Sequence, residues 1–187
     1  MLFPDLPPPG PTSPVTVACV QQAAATYGIP EALILAVLKT EGGRPGLARR
    51  NRDGSHDLGP MQVNTRWVRR EGLNARNLRD HGCYNLHVGT AILARELRAA
   101  PDLATGVGNY HSRTPRHHQR YQRLIVRSLK RLLAGMGRSA PRGAPWWGMI
   151  DGSGGRAGAS FSCLPRPGTD CNRPKVSPVR PESAGER

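Results

Sequence analysis

The sequence predicts a mainly α-helical fold: one domain of about six helices, with a short Pro-rich segment before it and a polar tail after it. Three observations carry this. Between about residues 15 and 133 the apolar residues recur at three- and four-residue spacing, and no stretch alternates convincingly enough to mark a strand. Gly and Pro fall between the periodic stretches and punctuate them. After Leu133 the periodicity stops, and Gly, Pro, Ser and Arg dominate. The expected organisation is therefore 1–14 as a Pro-rich segment, 15–133 as the folded domain, and 134–187 as a disordered tail. A domain of roughly 120 residues can bury about two thirds of its unfolded surface, enough for one core.

Each element has its own signal. Residues 1–14 are expected to be extended or disordered. Thr16 suits an N-cap, and Val17, Val20, Ala24 and Tyr27 share one face of a helix that Gly28 ends. Pro30 suits the first position of a second helix, and Glu31 suits its positive end. Leu33, Ile34, Val37, Leu38 and Glu41 follow helical spacing, and Gly42-Gly43 stops the helix. Residues 44–57 read as a polar, Arg-rich loop with a turn at Asp53-Gly54. Gly59-Pro60 reads as the start of a third helix carrying Met61, Val63, Trp67 and Val68. A fourth begins around Cys83, with Leu86, Thr90, Leu93 and Leu97 on one face. A short fifth spans about 101–110. The sixth runs from about His117 to Leu133, with Tyr121, Leu124, Ile125, Ser128, Leu129 and Leu132 at near-ideal spacing.

The chain of 187 residues carries a formal charge of +14, almost all of it from Arg. Residues 15–133 hold 19 bases and 8 acids. Such a field attracts polyanions: nucleic acid, anionic lipid or an acidic wall polymer. Abundant Arg, Ala, Gly and Pro also fits a GC-rich genome. A nucleic-acid binder is disfavoured, because no zinc-finger or RNA-recognition signature appears and the bases are not interleaved with aromatics. No apolar run approaches the length of a membrane span. The four cysteines, Cys19, Cys83, Cys163 and Cys171, include no CxxC pair, so no metal site is expected. Their even number suggests two disulfides and an oxidising compartment. The alternative for Cys19 and Cys83 is two buried free thiols. No secretory signal is evident at the start: Pro4-Asp5 and Pro7-Pro8-Pro9 interrupt the apolar Met1-Leu2-Phe3. Either the start is truncated or internal to a precursor, or export takes another route.

Glu41 is the candidate for chemistry. It lies on the apolar stripe of its helix, in the last turn, where the macrodipole is negative. Burial and dipole both disfavour a carboxylate and raise its pKa. A carboxylic acid protonated near neutral pH is what a glycosidase needs to donate a proton to a leaving oxygen. The bland alternative is a solvated Glu at a frayed helix end.

The surrounding motifs weigh against that alternative. Tyr27-Gly28-Ile29-Pro30 precedes the helix that ends in Glu41-Gly42-Gly43. Then come Asn51-Arg52-Asp53-Gly54-Ser55-His56-Asp57-Leu58-Gly59-Pro60-Met61-Gln62-Val63-Asn64, Cys83-Tyr84-Asn85-Leu86-His87-Val88-Gly89, and Gly106-Val107-Gly108-Asn109-Tyr110-His111-Ser112. In order and spacing this set resembles the lysozyme-like lytic transglycosylases, in particular the small soluble type that accompanies secretion and conjugation systems. The resemblance covers about residues 17–130.

It implies a lysozyme-like fold and a role for each matching residue. Glu41 would protonate the bond between N-acetylmuramic acid and N-acetylglucosamine. It would then accept the proton of the muramic C6 hydroxyl as that oxygen closes a 1,6-anhydro ring. The substrate's own acetamido group would stabilise the cationic intermediate, so one carboxylate would suffice where most glycosidases need two. Gln62 and Asn64 would shape the cleft and bind backbone or sugar. Tyr110 would hydrogen-bond near Glu41 and orient it, and Met61 would pack under the acid. For Gln62, Asn64 and Tyr110 the alternative is ordinary capping and packing.

Three positions depart from the family pattern. Gly42 stands for a serine, Pro60 for a leucine, and His111-Ser112 for Asn-Ala. His111 would alter a sugar subsite or add a titrating group there. Asp57 lies in the loop leading into the cleft. It is either a second carboxylate, which would make the site more like a hydrolytic lysozyme, or a capping Asp. The resemblance also supports a Cys19–Cys83 disulfide, with Cys163–Cys171 a guess.

The expected partner is the peptidoglycan glycan strand, with components of a secretion or conjugation apparatus beside it. No cofactor, specific nucleic acid or membrane span is expected. The protein should be an exported, periplasmic monomer. Trp146-Trp147 and the tail arginines would either dock a partner or belong to a plain disordered extension. The alternatives to a lytic transglycosylase are a hydrolytic muramidase on the same fold and a non-catalytic wall-binding assembly protein.

Overall fold

The computed structural model describes Leu6, Pro8 and residues 10–135. Trp146-Trp147 and the Cys163…Cys171 loop lie outside the described residues. Among the described residues the chain forms seven helices and a small sheet. The helices are α1 (Val17–Tyr27), α2 (Glu31–Glu41), α3 (Thr65–Glu71), α4 (Ala75–Asp80), α5 (Gly82–Ala99), α6 (Leu103–His111) and α7 (Pro115–Gly135). The strands are β1 (Ala48–Arg50), β2 (His56–Leu58) and β3 (Val63–Asn64), antiparallel in the order β1-β2-β3.

The long helices follow the apolar spacing. Thr16 caps α1 by accepting the Cys19 N–H at 3.2 Å, and Gly28 ends the helix in a left-handed conformation. Pro30 sits one position earlier than expected, at the N-cap of α2. Gly42, with φ of 62°, closes α2 directly after Glu41. The core lies around α5, where Leu86, Val88 and Leu93 are fully buried. Leu33, Ile34 and Val37 of α2 and Ile125 of α7 are buried as deeply. α5 packs on α1, α4 and α6, and α2 packs on α7.

The segment between α2 and α3 differs from expectation. Residues 44–57 are not all loop, since they contain β1 and most of β2. Strands of two or three residues are too short for alternation to register. Gly59-Pro60 does not start a helix either. Residues 59–62 form a turn, β3 follows, and α3 starts only at Thr65, where the Asn64 side chain accepts the Arg66 N–H at 2.9 Å. The fully buried Asn85 of α5 explains the turn. Its Oδ1 accepts the Met61 N–H at 2.7 Å, and its Nδ2 donates to the carbonyls of Leu58 and Leu78 at 2.7 and 2.8 Å. Backbone groups that a helix would pair internally are held here by one amide. The extra helix, α4, has six residues and one fully buried apolar side chain, Leu78, so it left no periodic signal.

Two links tie the periphery down. Cys19 of α1 and Cys83 of α5 form a disulfide, with Cα atoms 5.5 Å apart. The stretch before α1 is extended and lies along the α4–α5 junction. Ser13 N donates to the Asp80 carbonyl at 3.0 Å, and Gly82 N donates to the Ser13 carbonyl at 2.8 Å. The buried Arg79–Asp80 ion pair anchors it further: Arg79 donates to the Pro8 carbonyl at 2.9 Å, and Asp80 accepts the Gly10 N–H at 3.2 Å.

Candidate active site

A groove of about 660 Å³ opens between the sheet, the end of α2 and the α6–α7 corner. Its lining brings together Glu41, Asp57, Gln62, Asn64, Tyr110 and His111, all singled out in the sequence. Met61 is not in the lining. It is fully buried against α5, where a Cβ on Gly89 would meet its sulfur at 2.6 Å.

Glu41 reaches the groove because α2 ends there, and the backbone passes very close to the 59–62 turn. A Cβ on Gly43 would fall 2.1 Å from the Gly59 carbonyl oxygen, so only glycine allows this approach. The Glu41 carboxyl accepts a 2.7 Å hydrogen bond from the hydroxyl of Tyr121 on α7. Burial pushes its pKa up to about 7. The Tyr121 bond pulls it down, the Asp57 charge pushes it up, and the Arg49 charge pulls it down.

The sheet supplies the opposite wall. Asp57 stands in register with Arg49 on β1 and with Asn64 on β3. Directly opposed residues of antiparallel strands share a face, so Arg49, Asp57 and Asn64 form one row along the groove. Asn64 is committed twice. Its Oδ1 caps α3, and its Nδ2 donates to Asp57 Oδ1 at 2.7 Å and to Ser55 Oγ at 3.0 Å. Ser55 donates in turn to Asp53 at 2.6 Å.

Gln62 has a φ of 49°, the one positive φ outside glycine among the described residues. Its Nε2 donates to the Gly59 carbonyl at 2.8 Å. Its Oε1 is buried in the groove wall without a hydrogen-bond partner among the described residues. A buried acceptor left unpaired costs roughly 1–3 kcal/mol, and a donor arriving in the groove would remove that cost.

Tyr110 does not take the bond expected of it. Its hydroxyl donates to the Met61 carbonyl at 2.9 Å, bracing the turn instead of the acid. Tyr121 bonds to Glu41, and the two tyrosine rings lie 6.4 Å apart. Burial holds both phenols well above their ordinary pKa, with the Glu41 charge adding to it. His111 stacks on Tyr121 at 4.7 Å, with the rings almost parallel. Desolvation lowers the His111 pKa, and His117 and Arg120 lower it further against Asp57. Tyr121 and Arg49 were missed as site residues. Tyr121 read as one more member of the apolar stripe of α7, and Arg49 as one of many loop arginines. Among the described residues no cluster of three His, Cys, Asp or Glu side chains could hold a metal ion.

Residues 18–123 match the family model of the transglycosylase SLT domain. The chain belongs to the SLT transglycosylase family. The match runs from α1 into the first half of α7, so groove, acid and sheet all fall within the SLT domain. The chain is also similar to the invasion protein IagB of Salmonella typhimurium (strain SL1344) and of Salmonella typhi. Each is 30% identical over 122 residues, covering 61% of this chain and 76% of the relative. SLT membership makes this a transglycosylase-type protein that acts on peptidoglycan, a substrate outside the cytoplasm. Among the described residues no helix is long and apolar enough to cross a membrane.

Proposed function

We propose that the protein is a lytic transglycosylase that cleaves the β-1,4 bond between N-acetylmuramic acid and N-acetylglucosamine, leaving a 1,6-anhydro end. The observation that carries this reading is the Glu41 carboxyl, half-buried in the groove lining and held by Tyr121. A carboxyl with a pKa near 7 is protonated in a useful fraction of molecules at neutral pH and also serves as a base once ionised.

The protonated Glu41 gives its proton to the glycosidic oxygen as the C1–O bond breaks. The substrate's acetamido oxygen closes on C1 and carries the positive charge. The Glu41 carboxylate then takes the proton of the C6 hydroxyl, and O6 attacks C1 from within the same sugar. The acid returns protonated, and no water is consumed. The Tyr121 bond fixes the carboxyl for both transfers. Gln62 Oε1 accepts a hydrogen bond from a sugar N–H or O–H, and His111 and Tyr110 border the same subsite.

Asp57 supports a second reading, a hydrolytic muramidase. Its charge is felt by Glu41, and Asn64 holds its carboxylate in the groove wall. Mass spectrometry of the muropeptides released from purified cell walls separates the two. Anhydro ends are expected from the wild type and none from Glu41→Gln. Reducing ends would instead establish the muramidase, and lysis by Glu41→Gln at the wild-type rate would overturn both. The extracytoplasmic setting, the Cys19–Cys83 disulfide and the similarity to an invasion protein support a role in opening the wall locally for a secretion or conjugation apparatus.

A further inference from the structure

The charge of this chain has a location. α7 contains no acidic residue, and its exposed bases are Arg116, Arg120, Arg123, Arg127, Lys130 and Arg131. At about 100° per residue these six fall within an arc of about 100°. Tyr121, Ile125, Ser128 and Leu129 point the other way, into the core. The bases thus form a straight ridge along the outer face of α7, about 22 Å long at 1.5 Å per residue.

None of the six forms an ion pair among the described residues. Arg116 and Arg120, Arg120 and Arg123, and Arg123 and Arg127 stand three or four residues apart, where like charges destabilise a helix. The ridge therefore carries repulsion that a polyanion would relieve. Its first turns border the groove. His111 and His117 line the groove, and His111 feels the charge of Arg120. The first turn of α7, where the ridge begins, therefore lies beside the groove.

We propose that the exposed face of α7 is a docking surface for the carboxylate-bearing peptides of the wall polymer whose glycan occupies the groove. The surface holds the enzyme on its substrate between cleavage events, adding affinity through charge and not through shape. This rests on the peptidoglycan reading of the groove. The ridge is preferred to a lipid-binding role because no large apolar side chain is exposed among its bases to enter a bilayer.

The test uses the full chain carrying Glu41→Gln, so that binding is measured without digestion. Co-sedimentation with purified cell walls at low salt is compared for two further triple variants. The first is Arg120→Gln, Arg123→Gln and Arg127→Gln. The second is Lys39→Gln, Arg50→Gln and Arg76→Gln, which removes the same charge from scattered exposed positions. The ridge triple is expected to weaken binding about tenfold and the scattered triple less than about threefold, with most of the difference lost in high salt. Walls whose carboxylates have been amidated should bind wild type and ridge triple alike. Arg→Lys at the same three positions should restore binding, and a thermal melt of each variant checks its folding. Equal losses for the two triples would overturn the ridge, as would undiminished binding to amidated walls. A ridge triple impaired on phosphatidylglycerol vesicles or duplex DNA but not on walls would overturn the assigned partner. Muropeptide release by the Glu41 protein is scored separately, so a failed ridge and a failed catalytic reading give different results.

Discussion

Glu41 is surrounded by groups that push its proton affinity in opposite directions, and this can be measured. Arg49 favours the carboxylate and Asp57 disfavours it. If protonated Glu41 starts the reaction, wall lysis falls as pH rises through about 7, by about tenfold per unit beyond it. Arg49→Gln should move that alkaline limb to higher pH, and Asp57→Asn should move it lower while reducing turnover. Tyr121→Phe should shift it upward as well, with an added loss in kcat because the carboxyl is no longer oriented. Shifts of Arg49→Gln and Asp57→Asn in the same direction would mean that the groove's charges do not act through Glu41. The same residue also affects stability. Its folded pKa lies above the unfolded value, so its contribution is fully present below about pH 4.5 and is lost as pH rises through about 7. Glu41→Gln should therefore be more stable than the wild type at pH 8, by up to about 2 kcal/mol given the groove's access to water, and no more stable at pH 4. Urea unfolding at the two pH values checks this. Glu41 was legible in the sequence because it closes an apolar helical stripe. Its partner was not, since Tyr121 lies 80 residues away and its ring also belongs to the core.

Among the elements, the helices were legible because each has an apolar face longer than its punctuation. The β1–β3 segment was not, because its strands are two or three residues long and its shape depends on a side chain from α5. Asn85 makes two buried hydrogen bonds to the backbone of the turn, at Leu58 and Met61, and a third to Leu78 of α4. Asn85→Leu would leave one N–H and two carbonyls without partners and should cost about 3 kcal/mol or more in urea unfolding. It should also cut activity in whatever fraction remains folded, since Met61, Gln62 and the Tyr110 bond all depend on that turn. Full activity with normal stability would show that the turn holds itself.

At the scale of the molecule, the disulfide joins the first helix to the central one across 64 residues. Loop closure of that size stabilises the folded chain by about 4 kcal/mol in the entropy model. Reductant should lower the urea midpoint accordingly, and Cys19→Ala with Cys83→Ala should reproduce the loss without reductant. An unchanged midpoint would place the domain's stability wholly in its core. The fold class was readable from composition and spacing alone, but the family required four ordered motifs together. Charge misled in one respect: its sum suggested many partners, whereas its arrangement along α7 selects a direction on the surface.

The row formed by Arg49, Asp57 and Asn64 has a consequence for how this domain can change. Side chains on a strand alternate faces, so a slip of one residue in the pairing of β2 would turn Asp57 away from Glu41 and bring His56 and Leu58 round in its place. The lengths of the 51–55 and 59–62 connections hold that pairing. A single inserted or deleted residue in either would displace Asp57 from the groove wall with Arg49, Asp57 and Asn64 all still present in the sequence. Relatives with loops of other lengths can keep this wall only by absorbing the change in a bulge or in pairs, which makes the spacing between motifs as restrictive as the motifs themselves.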